Sequence, residues 1–160
     1  MTSFFLLATL SLSLVCICQA DLISDVCSKT INPSLCTQTL KSNPSAPKAD
    51  LRGLGQIIIP IAKAATQNVI TISKSIGGPI ADTCIETSTD AIDNLDECVG
   101  YLKKSDKASI SDLQTKASAA STDVGTCDDE FGDSEPAKLK AASQKAQDLI
   151  SVLLAIANKL

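Results

Sequence analysis

Apolar residues recur at helical spacing along almost the whole chain, and no stretch alternates apolar and polar with period two. That pattern predicts an all-α protein. A short first helix is expected within Asp21–Thr30, where Leu22, Ile23 and Val26 share a face. Asn32-Pro33 then supplies an N-cap and a proline at the first helical position, which starts a second short helix over Pro33–Leu40. Asn43–Pro47 reads as a loop. A long helix begins at Asp50 with a heptad-like stripe of Leu51, Leu54, Ile58, Ile61, Ala65, Ile72 and Ile76. Pro60 should kink or split it, and Gly77-Gly78-Pro79 ends it. The next helix covers Pro79–Lys103, with Ile80, Cys84, Ala91, Leu95, Cys98 and Leu102 inward. Lys104–Lys107 is the turn and Ser109 the N-cap of a helix whose stripe is Ile110, Leu113, Ala117, Ala120, Val124, Cys127 and Phe131. Asp133–Pro136 breaks that stripe. A last helix turns Leu139, Ala146, Leu149, Leu153, Ile156 and Leu160 inward. Four long helices with short links behind an N-terminal helical hairpin predict an antiparallel, up-and-down four-helix bundle.

The start of the chain differs from the rest. Met1–Ala20 carries no charge, and Phe4–Cys18 is mostly apolar but too short to span a bilayer. With small residues before Asp21, it reads as a secretory signal peptide, although the usual basic residue near Met1 is missing. The mature domain is then 21–160, and it holds all 18 acidic and 14 basic residues, a net charge of −4. This balance argues against nucleic acid or an anionic membrane as a partner. Tyr101 and Phe131 are its only aromatics, so it offers no stacking platform for bases.

Removal of the signal leaves Cys27, Cys36, Cys84, Cys98 and Cys127, and an oxidising compartment should pair four of them. Cys27 and Cys36 flank the Asn32-Pro33 turn and can close the hairpin. With the next turn centred near residue 106, position i lies opposite roughly 212 − i, at the ~1.5 Å rise of a helix. Cys84 then faces Cys127, while Cys98 sits too far along for a bridge. The expected pairs are Cys27–Cys36 and Cys84–Cys127, with Cys98 a free thiol that packs as a small hydrophobe. With no histidine and no C-x-x-C, a zinc site is not expected, nor any other metal or cofactor.

Four segments stand out together: Cys27 with Asn32-Pro33-Ser34-Leu35-Cys36, Ala49-Asp50-Leu51-Arg52-Gly53-Leu54, Cys84-x-Glu86 with Asp90-Ala91-Ile92, and Ala119-Ala120 to Thr126-Cys127. In this order they resemble the plant invertase and pectin methylesterase inhibitor family. The resemblance covers essentially the whole mature chain. It implies a hairpin-plus-bundle fold with the same two disulfides, secretion to the apoplast and cell wall, and a reversible, stoichiometric complex with a target enzyme. The expected partner is pectin methylesterase, with acid invertase as the alternative, bound by a monomer.

Glu86, Asp90 and Asp93 stand at i, i+4 and i+7, on one helix face. On spacing alone the default is a solvated acidic face. The resemblance implies that these three contact the enzyme, together with Thr126. The hydroxyl of Thr126 has a local alternative, the carbonyl four residues back. Pectin is a polyanion, so its esterase must accept carboxylates, and an inhibitor can offer its own to the same cationic groups. If so, binding lowers their pKa values and the complex weakens as pH falls through the lowered values. The family commonly has an aromatic where this chain has Ser88, which here implies the loss of an interface anchor. Invertase inhibitors of the family use Pro-Lys-Phe ahead of the third paired cysteine, where this chain has Pro79-Ile80-Ala81.

An enzyme is disfavoured, because histidine, a phosphate loop and a Gly-x-Ser-x-Gly elbow are all missing. The run Cys127–Glu135 is acidic but lacks the order of a calcium loop. A cytokine-like ligand would need long crossover links, and a lipid carrier a lasting apolar cavity. A secreted family member that has lost its target remains the third alternative.

Overall fold

The computed structural model describes residues 22–160, so the expected signal peptide lies outside the described residues. Residues 22–27 form α1. Then come α2 (Pro33–Ser42), a 3-10 turn (Ala46–Lys48), α3 (Leu51–Ile76), α4 (Pro79–Tyr101), α5 (Lys107–Phe131), a second 3-10 turn (Gly132–Ser134) and α6 (Ala137–Ala157). Helices α3 to α6 pack as a ring in which each touches the next and α6 returns to α3. Cross-links between neighbours run in opposite sense along the two chains. Lys63 of α3 pairs with Asp96 of α4, and Gly55 abuts Leu102. Cys98 of α4 meets Leu113 of α5, and Gln114 of α5 reaches Ala157 of α6. The bundle is therefore antiparallel and up-and-down, with α1 and α2 as a hairpin outside it.

Local chemistry explains the helix starts. Asn32 accepts from the Leu35 N–H at 3.1 Å, with Pro33 at the first position of α2. Asp50 accepts from the Gly53 N–H at 2.7 Å to start α3. At α5 the cap is Asp106 rather than Ser109. The Asp106 carboxylate accepts from both the N–H (2.9 Å) and the hydroxyl (2.8 Å) of Ser109. Those two bonds hold its pKa below the usual aspartate value. Gly77 and Gly78 both take positive φ (71° and 91°), which lets a two-residue link reverse the chain between α3 and α4.

Pro60 does not split α3, which runs unbroken across it. Its ring is exposed, and the carbonyl it leaves without a donor belongs to Gln56, an exposed residue on the solvent side of the helix, where a lost helix bond costs least. The buried face of α3 also differs from the expected stripe. Leu51, Ile61 and Ala65 are only partly covered, while Ile59, Ala62, Thr66, Val69, Ile70 and Ser73 are buried. Ile76 and Ile80, expected inward, are 38% and 39% exposed. They flank the Gly77-Gly78 link beyond Ser73 and Ala81, the last buried residues of their helices, so no neighbouring helix covers them. Ile110, Phe131 and Leu160 are partly covered for the same reason, being near helix ends.

Two features fix how the bundle is assembled. Arg52 donates to the carbonyls of Leu102 (2.8 Å) and Lys104, tying the start of α3 to the α4–α5 link. A Cβ at Gly55 would lie 2.8 Å from Leu102 Cδ1, so any larger residue would force the buried Leu102 side chain to shift. The hairpin is closed by Cys27–Cys36, with Cα atoms 5.4 Å apart. It is pinned to α6 by Asn32 Nδ2 donating to Asp148 (2.9 Å), the Ile31 N–H donating to Ser151 Oγ (3.2 Å), and the Lys159–Asp25 ion pair.

Candidate functional site

The pairing of α4 with α5 builds the candidate site. Cys84 and Cys127 are bonded, with Cα atoms 4.7 Å apart. One face further along, the Cys98 thiol lies 3.9 Å from the Leu113 carbonyl. Both contacts put residue i of α4 opposite about residue 211 − i of α5, given the antiparallel ~1.5 Å rise of each helix. Cys98 is fully buried and unpaired. Burial, with the nearby Glu97 charge, pushes its thiol up to about 12, so it stays protonated and inert.

On the outer face of α4, Glu86, Asp90 and Asp93 are all exposed. Of the acids beside them, the two toward the C-terminal end of α4 are paired, Asp96 with Lys63 and Glu97 with Lys116 at 2.8 Å, while Asp82 one turn before Glu86 is exposed like the row itself. Among the described residues, none of Glu86, Asp90 and Asp93 makes an ion pair. The result is a row of three hydrated carboxylates one helical turn apart, held on a rigid rod.

The structure adds two residues that the pattern along the chain did not flag. Asn94 Nδ2 donates to Asp123 of α5 at 2.9 Å, and Lys116 reaches Asn94 Oδ1 at 3.2 Å. Asp123 is partly buried, and its pKa is raised by burial, against the lowering bond from Asn94 and with the help of the Asp90 charge. Asp123 thus widens the acidic face onto α5 beside Asp90. The helix register was the available signal, since it sets position 123 across from about position 88 at the ~1.5 Å rise. The same register sets Thr126 across from about position 85, next to Glu86. The Thr126 hydroxyl donates to the Thr122 carbonyl at 3.0 Å, and the residue is partly exposed.

Ser88 is not on this surface. It is fully buried on the inner side of α4, and its hydroxyl has no hydrogen-bond partner among the described residues. An aromatic at this position would fill the bundle core rather than anchor a partner, so serine here costs packing, not interface contact. Pro79 and Ile80 are exposed at the start of α4, while Ala81 is buried. Among the described residues there is no group of three or more potential metal ligands, and no helix is long and apolar enough to cross a membrane.

The sequence profile described as plant invertase/pectin methylesterase inhibitor matches residues 21–156. The chain belongs to this family. A pectinesterase inhibitor of Actinidia deliciosa is 40% identical over 149 residues, which cover 87% of this chain and 79% of that protein. A protein of Platanus orientalis with a provisional invertase-inhibitor name is 30% identical over 135 residues, 76% of this chain and 78% of its own length. The crystal structure of a mutant form of a pectin methylesterase inhibitor from Arabidopsis superposes with a TM-score of 0.72 at 26% identity, covering 86% of this chain and 96% of that one. The family fold is thus shared from the hairpin to the last helix. These relatives are named for inhibiting enzymes of two kinds.

Proposed function

We propose that the chain is a proteinaceous inhibitor of pectin methylesterase with no catalytic activity of its own. It acts outside the cell, after loss of Met1–Ala20, as a monomer in a reversible one-to-one complex. The observation that carries this reading is the row Glu86, Asp90 and Asp93, exposed and without ion pairs while Asp96 and Glu97 beside it are neutralised. An enzyme whose product is a polycarboxylate has a cleft that tolerates negative charge. A rod bearing three carboxylates mimics a stretch of that product, and complementary charge speeds encounter and sets orientation. Thr126 and Asp123 on α5 extend the same surface. Pro79-Ile80-Ala81 supplies neither the lysine nor the aromatic that the resemblance associates with entry into an invertase site, which favours the pectin methylesterase reading.

Parallel titration of the purified 21–160 protein into a plant pectin methylesterase and an acid invertase tests this. The esterase should lose activity with a one-to-one endpoint while the invertase stays active. Inhibition of the invertase alone would overturn the proposal, and inhibition of neither would mark a family member without a retained target.

A further inference from the structure

The corner between α5 and α6 holds a second pair of carboxyl groups, distinct from the row on α4. Asp128 lies in the last turn of α5, and Glu135 follows the 3-10 turn Gly132–Ser134. The chain between them is tightly wound. The Gly132 N–H donates to the Asp128 carbonyl, the Glu135 N–H donates to the Gly132 carbonyl (3.2 Å), and the Ser134 hydroxyl donates to the Phe131 carbonyl (2.6 Å). Gln147 of α6 donates to Asp128 Oδ2 at 2.8 Å. The other oxygen of Asp128, Oδ1, is buried without a partner, and so is Glu135 Oε1. Two buried carboxylate oxygens cannot both stay charged and unsatisfied in one corner.

We propose that Asp128 and Glu135 share one proton across this corner, forming a clasp that fastens the α5–α6 turn in acid and loosens it toward neutral pH. Glu135 carries the proton and donates to Asp128 Oδ1, while Gln147 donates to Asp128 Oδ2. Every oxygen that burial isolates then has a partner. When pH rises, the proton leaves to solvent and two like charges face each other. Burial first, then the Asp128 charge and hydrogen bond, lift Glu135 to about 7, against the opposing charge of Lys140 on α6. The other charged groups around the corner are Asp129 and Glu130 in the last turn of α5, Asp133 on the 3-10 turn, Lys138 in the first turn of α6, and Asp82 and Glu86 across on α4. All of these are exposed.

The sign follows from linkage. A carboxyl whose pKa is higher in the folded chain takes up its proton on folding. Its contribution is full below the unfolded value of 4.5 and is lost as pH rises through about 7. The chain contains no histidine, the side chain that ordinarily titrates in this window, and comparison with a variant at Glu135 cancels the contribution of other carboxyls such as Asp123, whose pKa burial also raises. The proposal does not depend on any enzyme partner.

Urea unfolding of the 21–160 protein between pH 4.5 and 7.5 tests it, with Glu135→Gln alongside. The folding equilibrium constant of the wild type should fall by about tenfold relative to the variant over that range, less than the limit of tenfold per pH unit because Glu135 is partly solvated. Glu135→Gln keeps a permanent N–H donor toward Asp128 and should be the more stable protein at pH 7.5. Parallel wild-type and variant curves would overturn the proposal. A carboxyl-carbon NMR titration of Glu135 in the wild type needs no variant. A midpoint close to that of an exposed glutamate would overturn the clasp, whereas a midpoint near neutrality supports it.

Discussion

Replacing the acidic row with its neutral counterparts, Glu86→Gln, Asp90→Asn and Asp93→Asn together, should weaken inhibition of pectin methylesterase by about 100-fold. That is the scale expected when one side of several charge pairs is truncated at an interface. The fold should respond in the opposite direction. The three carboxylates repel one another at i, i+4 and i+7, so removing them should stabilise α4 by a few tenths of a kcal/mol, roughly. Inhibition constants and thermal unfolding measured on the same preparation separate the two effects. An exposed acid elsewhere on the bundle, Asp112, gives the control: Asp112→Asn should leave inhibition unchanged. A triple variant that inhibits as well as the wild type would show that the row is only a solvated face.

The second large effect is expected from the disulfide between α4 and α5. Cys84 and Cys127 are separated by 43 residues, so the bond removes much of the freedom of the unfolded chain. A loop of that length corresponds to about 4 kcal/mol in the loop-entropy account. Against a total stability of roughly 5–15 kcal/mol for a domain, its loss is severe. Cys84→Ala with Cys127→Ala should therefore lower the urea midpoint sharply, while the Cys27–Cys36 pair, with a separation of 9 residues, should matter less. Function should suffer too, because this bond sets Thr126 and Asp123 beside the row on α4. Cys98 provides an internal gauge. Its buried thiol should resist a thiol reagent in the native protein and react only once the bundle opens. Equal unfolding midpoints with and without the Cys84–Cys127 bond would contradict this account.

Where the apolar spacing was one-sided, the pattern along the chain was enough. In α5, Leu113, Ala117, Ala120, Val124 and Cys127 stand out from polar neighbours, and all five are fully buried. Helix α3 was harder to read, because Ile57, Ile58, Ile59 and Ile61 surround the rod with apolar side chains. Several faces then satisfy the same pattern, and the one chosen in the fold buries Thr66 and Ser73. Helix ends also escape periodicity, since coverage there depends on whether a neighbour extends as far. This is why Ile76 and Ile80 lie in solvent. In the acidic face, spacing within one helix placed Glu86, Asp90 and Asp93 together. Asp123 belongs to a different helix and joins them only through the register that the disulfide sets. Ser88 shows the limit of reasoning by resemblance alone, because its direction is decided by the rotation of α4 against its neighbours.

The central claim is that the outer face of α4 meets the enzyme. Carbodiimide labelling of carboxyl groups, followed by peptide mapping, measures this directly in the free protein and in its complex with pectin methylesterase. Glu86, Asp90 and Asp93 should label readily when free and be shielded in the saturated complex, while Asp112 labels equally in both. Unchanged labelling of all three acids in a fully inhibited complex would contradict the claim.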